Sequence, residues 1–137
     1  MSEEIQILIK HYASNPINNY VMTDYSIKNS EWNMICDDDI EIYLKISDDW
    51  IIEKYSFTWN LSIVWIAAAS ILAEEIEWKS LDEILSWWYD FMKNLGFSVS
   101  TRRKRAAVLP ILAVRNAIHV YKNDWKKDEF DDLTESC

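Results

Sequence analysis

Two adjacent segments of apolar–polar alternation limit the folds open to this chain of 137 residues. The first segment runs from Ile40 to Ile46 and the second from Ile51 to Thr58. A period of two is typical of strands that bury one face. The short Ser47–Asp49 connection between the two segments therefore predicts an antiparallel hairpin.

The same alternation predicts which residues of the hairpin face the core. In the second strand, Ile51, Tyr55 and Phe57 share one face with Glu53. A shorter alternation over residues 25–27 predicts a weak strand ahead of the hairpin, before polar residues interrupt the pattern.

Apolar residues at helical spacing lie on both sides of the hairpin. The spacing predicts helices over four segments: Glu3–Tyr12, Ser62–Ile76, Leu81–Leu95 and about Ala106–Tyr121. The small residues 67–70 would let the second of these helices approach the sheet closely. The predicted fold class is therefore α+β, a small antiparallel sheet with helices packed on one face.

Capping residues fix some of the predicted helix ends. Ser80 and Glu83 have the spacing of a capping box, at which a helix begins. Gly96 suits the position just after a helix end. Pro110 is tolerated if the last helix begins near Ala106, because backbone N–H groups near a helix start have no partner in the helix.

Length and charge restrict the classes of function. The chain is long enough for one domain, predicted over residues 1–125, and a charged tail over residues 126–137 is expected to fray. The net charge of −9 argues against nucleic-acid binding, because an acidic surface repels phosphates. We find no apolar run of membrane-spanning length and no basic leader, so a cytoplasmic location without membrane contact is expected. Two cysteines do not make a disulfide framework.

Six short motifs follow one another along the chain. They are His11–Asn18, Asn33–Asp38, Phe57–Ser62, Ile66–Ser70, Trp78–Glu83 and Arg103–Pro110. Their order and spacing, over about residues 4–122, resemble those of the NifU/IscU family of iron–sulfur cluster assembly scaffolds. The resemblance implies a SufE/NifU-like sandwich without enzymatic activity. It also implies a cysteine desulfurase and other cluster-assembly proteins as partners.

The resemblance further implies a metal site that this chain carries incompletely. Family members hold a nascent [2Fe–2S] cluster or a zinc ion with three cysteines and an aspartate. Cys36 and Asp38 stand at the first cysteine and the aspartate, whereas Ser62 and Ala106 stand at the other two cysteine positions. Thiolates are the ligands that iron and zinc prefer here, a serine hydroxyl is a poor one and alanine offers none. The cluster or zinc is therefore expected not to be retained.

The residues leave three interpretations open. The chain is a scaffold relative that is degenerate in cluster binding, a metal-free binding module for cluster-assembly proteins, or an unrelated acidic interaction protein. Cys36 is either a remnant ligand, a sulfur acceptor or an inert thiol, and lone cysteines are most often small buried hydrophobic residues. Asp37–Asp39 is either a metal-facing cluster or a solvated acidic turn.

The chain is short of glycine and rich in tryptophan. It has one Gly and eight Trp, whereas average usage would give about ten Gly. Four of the tryptophans, Trp32, Trp50, Trp59 and Trp78, stand where the family pattern has Gly. Trp50 occupies the glycine of an Asp-Gly turn, where a bulky residue at positive φ is strained. Because the codon UGA is read as Gly in some genetic codes and as Trp in others, these four positions are hypothesised to be glycine.

Overall fold

The structure is a computed structural model that describes residues 3–33, 38–60 and 63–130. Within these ranges the elements are α1 (Glu3–Ser14), β1 (Ile27–Asn33), β2 (Asp38–Ile46), β3 (Ile52–Asn60), α2 (Ile63–Ile76), α3 (Leu81–Ile84), α4 (Tyr89–Asn94) and α5 (Lys104–Lys122), with a 3-10 turn (Thr101–Arg103) before α5. Among the helices of these ranges, none has the length and apolar character needed to cross a membrane.

The three strands form one antiparallel sheet in the order β1-β2-β3. The central strand β2 buries Ile40, Ile42 and Leu44 completely or almost completely. Helix α5 packs against β1 and β2, and α2 packs against β3 and α5. The predicted α+β class and the predicted hairpin are confirmed.

A bulge changes the buried face of β3. Lys45 pairs with Lys54, but the next residue, Ile46, pairs with Ile52, so that one residue of β3 is skipped. An extra residue on one strand reverses the alternation beyond it. Ile52 is therefore fully buried, whereas Ile51 is half-buried. The prediction that Ile51 shares the buried face with Tyr55 and Phe57 is wrong for this reason.

Strand β1 continues further than its apolar pattern. Strand β1 runs from Ile27 to Asn33, so it shares only Ile27 with the predicted strand at residues 25–27 and continues through polar residues. The Asn29 side chain donates to the Ala113 carbonyl at 3.0 Å, and the Ser30 hydroxyl donates to Glu41 at 2.8 Å. Contacts with other elements thus hold an edge strand that lacks an alternating sequence.

Small residues on α2 lie against the sheet, as predicted. Ala67, Ala68 and Ala69 are fully buried. The Tyr55 hydroxyl of β3 donates to the Ala69 carbonyl at 3.0 Å, and burial raises the pKa of Tyr55. The Ser70 hydroxyl accepts from the Ile17 N–H at 3.1 Å, so α2 also fixes the loop that follows α1.

The predicted helix over residues 81–95 is broken into α3 and α4. It begins as expected, because the Ser80 hydroxyl accepts from the Glu83 N–H at 3.2 Å. Trp88 then has an extended backbone, and the Arg115 guanidinium donates to the Trp87 carbonyl at 3.1 Å. A contact from α5 therefore occupies a carbonyl that a continuous helix would use. Gly96 follows α4 at a φ of 93°, as predicted for a residue after a helix end.

Pro110 lies inside α5 rather than at its start. The helix begins at Lys104, two residues before the predicted start near Ala106. Proline has no N–H to donate to the carbonyl four residues earlier, which belongs to Ala106. The prediction that Pro110 stands among residues without helical partners is corrected accordingly.

The segment after α5 is held to the domain by a buried histidine. One ring nitrogen of His119 lies 2.8 Å from a carboxylate oxygen of Asp124, and the other lies 2.8 Å from Asp128. Arg115 also donates to Asp128 at 3.2 Å. Phe130 is buried against the same core, so the packed unit reaches past residue 125.

We expect His119→Gln to lower the melting temperature by a few degrees at neutral pH, because glutamine cannot bridge both carboxylates. The hydrogen bond from His119 lowers the pKa of Asp124. A lowered carboxyl pKa stabilises the fold above the ordinary carboxyl range, and the contribution is lost as the pH falls through the lowered value. The variant should therefore lose less stability in acid than the parent chain does. Thermal unfolding across this pH range measures both effects.

Lys127→Gln, an exposed change in the same segment, serves as the control. Equal acid sensitivity of the parent chain and His119→Gln would contradict the prediction.

Candidate functional site

The strand ends place the candidate ligand positions relative to the sheet. Asn33 at the end of β1 pairs with Asp38 at the start of β2, and Asp39 pairs with Asn60 at the end of β3. These four residues define one end of the sheet, here called the site end. The β1–β2 connection and the β3–α2 connection both begin there. Of the predicted site residues, Asp38 begins β2.

Two predicted site residues fall on the connections themselves. Cys36 belongs to the β1–β2 connection and Ser62 to the β3–α2 connection, and both lie outside the described residues. The resemblance implies that Cys36, Ser62 and Ala106 lie close together at one end of the sheet, and this stays a prediction.

Ala106 lies in the first turns of α5 and is partly buried. At the other end of this helix, the Lys122 ammonium lies 5.0 Å from the ring centroid of Trp50, in the β2–β3 turn opposite the site end. A helix rises about 1.5 Å per residue, so the first turns of α5 lie far from that turn. Arg105, next to Ala106, packs its guanidinium 5.0 Å from the Phe130 ring centroid and brings positive charge beside this position.

The donor chemistry of the site is poor for a bound cation. In the described ranges, with their gaps at residues 34–37 and 61–62, no group of three or more His, Cys, Asp or Glu side chains is arranged to hold a metal ion. The candidate set consists of one thiol, one carboxylate, one hydroxyl and one methyl group, from Cys36, Asp38, Ser62 and Ala106 respectively. A tetrahedral thiolate site has about four donors, whereas the set that the resemblance implies offers one thiolate and one carboxylate.

The outer face of the sheet near the site end is polar. Glu41 accepts hydrogen bonds from the Tyr43 hydroxyl at 2.6 Å and the Ser30 hydroxyl at 2.8 Å. Both hydrogen bonds lower the pKa of Glu41. The carboxylate is thus held ionised by two donors, which suits a structural role better than that of a proton donor.

The sequence patterns did not predict the pair of carboxylates around His119. His119 itself is buried, with 6% of its surface exposed. Asp124 and Asp128, five and nine residues after His119, are the sequence signal that could have predicted this pair. Each ring nitrogen already has a carboxylate partner, so this cluster holds the fold together.

Comparison with known proteins identifies relatives by sequence pattern and by fold. The sequence model of the NifU-like N-terminal domain matches residues 3–128. A search of curated proteins finds no match.

Two solved structures have the same fold. One is a nitrogen-fixing NifU-like protein, N-terminal part, from Brucella abortus, with 15% identity and a TM-score of 0.70 over 85% of this chain and 92% of that chain. The other is described as a candidate scaffold protein for iron–sulfur cluster assembly in the SUF system of Fervidobacterium islandicum AW-1. It has 17% identity and a TM-score of 0.67 over 86% of this chain and 96% of that chain. At such identities the likeness shows the fold alone.

Proposed function

Since the chain belongs to the NifU-like N-terminal domain family, we propose that it acts in iron–sulfur cluster assembly as a scaffold-type protein that has lost stable cluster binding. This proposal rests on the family match over residues 3–128, a range that includes Cys36, Asp38, Ser62 and Ala106. The proposed role is non-enzymatic and cytoplasmic.

The proposed loss of cluster binding rests on the donor set. A cluster is the cargo of a scaffold, and its iron atoms need thiolates that are soft and strongly donating. Cys36 supplies one thiol, and Asp38 supplies one carboxylate. Ser62 and Ala106 replace the remaining two thiols, so the chain can hold a cluster or zinc at most weakly through Cys36 and Asp38.

The proposed partners are a cysteine desulfurase and other proteins of cluster assembly. They follow from the family and do not depend on a bound metal. The second candidate function is therefore a metal-free binding module for these proteins, which the incomplete donor set favours. An unrelated acidic interaction protein has no support from the family match.

We expect the purified monomer to bind neither zinc nor a stable cluster. Anaerobic reconstitution with iron and sulfide, followed by iron, sulfide and zinc analysis, measures this directly. A stoichiometric cluster on the unmodified monomer that is lost in Cys36→Ala would contradict the proposed degeneracy. A cluster found in a dimer alone would point to two Cys36 thiols shared across an interface.

Binding to a cysteine desulfurase separates the scaffold and the metal-free binding module, which should both bind it, from an unrelated acidic interaction protein. We expect a complex between the metal-free chain and the desulfurase of the same organism, measured by calorimetry. Cys36→Ala is the matched control. A binding module should keep its affinity for the desulfurase in that variant. A sulfur-accepting scaffold should no longer receive sulfur from the desulfurase. If the chain forms no complex with any of the assembly proteins tested, both family-based functions are contradicted.

A further inference from the structure

Three tryptophans have a backbone conformation that favours glycine. Among the described residues, those at positive φ are Asn18, Gly96 and Asn123, together with Trp50 at 62°, Trp78 at 70° and Trp125 at 65°. Asparagine and glycine are the residue types that tolerate this region, whereas a bulky side chain is rare there because its Cβ meets the backbone. Half of the positive-φ positions are thus occupied by an unsuitable residue.

Hydrogen bonds hold two of these positions in place. The Trp50 N–H donates to the Ser47 carbonyl at 3.0 Å, and the Trp50 carbonyl accepts from the Leu81 N–H at 3.0 Å. The Trp78 N–H donates to the Ile52 carbonyl at 2.7 Å. The turn between the strands and the connection before α3 therefore need a left-handed residue, whichever side chain is attached.

The indole rings of Trp78 and Trp125 contribute little burial in return, whereas that of Trp50 is about half-buried. Trp50 is 46% exposed, Trp78 is 71% exposed and Trp125 is 92% exposed. Buried aromatic side chains stabilise a fold mainly through the apolar area that they remove from water. The rings of Trp78 and Trp125 therefore give only small compensation for the strained backbone.

We propose that residues 50, 78 and 125 are encoded by UGA and are inserted as glycine in the cells that make this protein. The codon UGA specifies glycine in some genetic codes and tryptophan in others, so one codon accounts for both residue types. The composition agrees, because one glycine and eight tryptophans reverse the usual balance. This inference is independent of the proposed function.

The backbone does not require glycine at every tryptophan. Trp32 lies in β1 and Trp59 lies in β3, and neither is among the positive-φ residues. Trp87 is buried, and its ring stacks on Phe91 with centroids 3.9 Å apart. Trp50 and Trp78 therefore combine the glycine of the family pattern with a positive φ. Trp125 is included because of its positive φ alone.

The coding sequence and the mass of the native protein test the proposal directly. We expect UGA codons at positions 50, 78 and 125. Peptides from protein purified from its native cells should have the mass of glycine at these three positions. A UGG codon at any of the three, or a native peptide with tryptophan there, would overturn the proposal for that position.

Recombinant variants test the conformational argument separately. Trp50→Gly and Trp78→Gly should each raise the melting temperature by about 4 °C relative to Trp50→Ala and Trp78→Ala, because alanine also removes the indole but keeps the positive-φ strain. Trp32→Gly is the control at an exposed strand position, where glycine should lower the melting temperature. Equal melting temperatures for the glycine and alanine variants at both positions would overturn the structural basis of the inference.

Discussion

A Ser62→Cys/Ala106→Cys variant is expected to gain strong zinc affinity where the parent chain has none that is measurable. With Cys36 and Asp38 it would offer three thiolates and one carboxylate, which is enough for a tetrahedral site. Structural zinc sites contribute at least about 10 kcal/mol of binding free energy, which corresponds to a Kd of about tens of nanomolar. Competition with a chromophoric chelator under reducing conditions measures this affinity.

Matched variants show whether the gained affinity comes from the predicted ligands. Removing the first thiol by Cys36→Ala from the double variant should abolish most of the affinity. The single variants Ser62→Cys and Ala106→Cys should bind zinc weakly, because each still lacks a thiolate. A folded double variant without zinc affinity would show that Ser62 and Ala106 do not stand at the family's ligand positions.

Phe57→Ala is expected to lower the free energy of unfolding by about 3–5 kcal/mol, which is a large part of the stability of a domain of this size. Phe57 is fully buried in β3, and its ring centroid lies 6.1 Å from that of Tyr55 and 5.8 Å from that of Trp59. Truncation removes this packing and leaves a cavity between the sheet and the helices. Urea unfolding followed by circular dichroism measures the loss.

Two further variants separate cavity formation from other effects at this position. Phe57→Leu keeps most of the apolar volume, so it should cost clearly less than the alanine variant. Val21→Ala removes an apolar group from an exposed position and should change stability little. An alanine variant at position 57 that is as stable as the leucine variant would show that the core collapses around the missing ring.

Local patterns were sufficient to predict the hairpin and most of the helices. Period-two alternation predicted the hairpin, and three-and-four spacing predicted α1, α2 and α5 to within a few residues. Ser80 predicted the start of α3. These features depend on residues near one another in sequence, so the sequence alone determined them. Resemblance to a family, rather than any physical pattern, predicted Cys36, Asp38, Ser62 and Ala106 as site positions.

Contacts between distant segments decided the rest. The bulge that buries Ile52 follows from strand pairing, and the break after α3 places the Trp87 carbonyl within reach of Arg115 of α5. Contacts with Ala113 and Glu41 hold the polar residues of β1, which the alternation over residues 25–27 did not predict beyond Ile27. His119 is bridged to two carboxylates that come together only when the chain leaves α5 and turns back. Such hydrogen bonds join groups whose separation is set by packing of whole elements, so only the tertiary structure determined them.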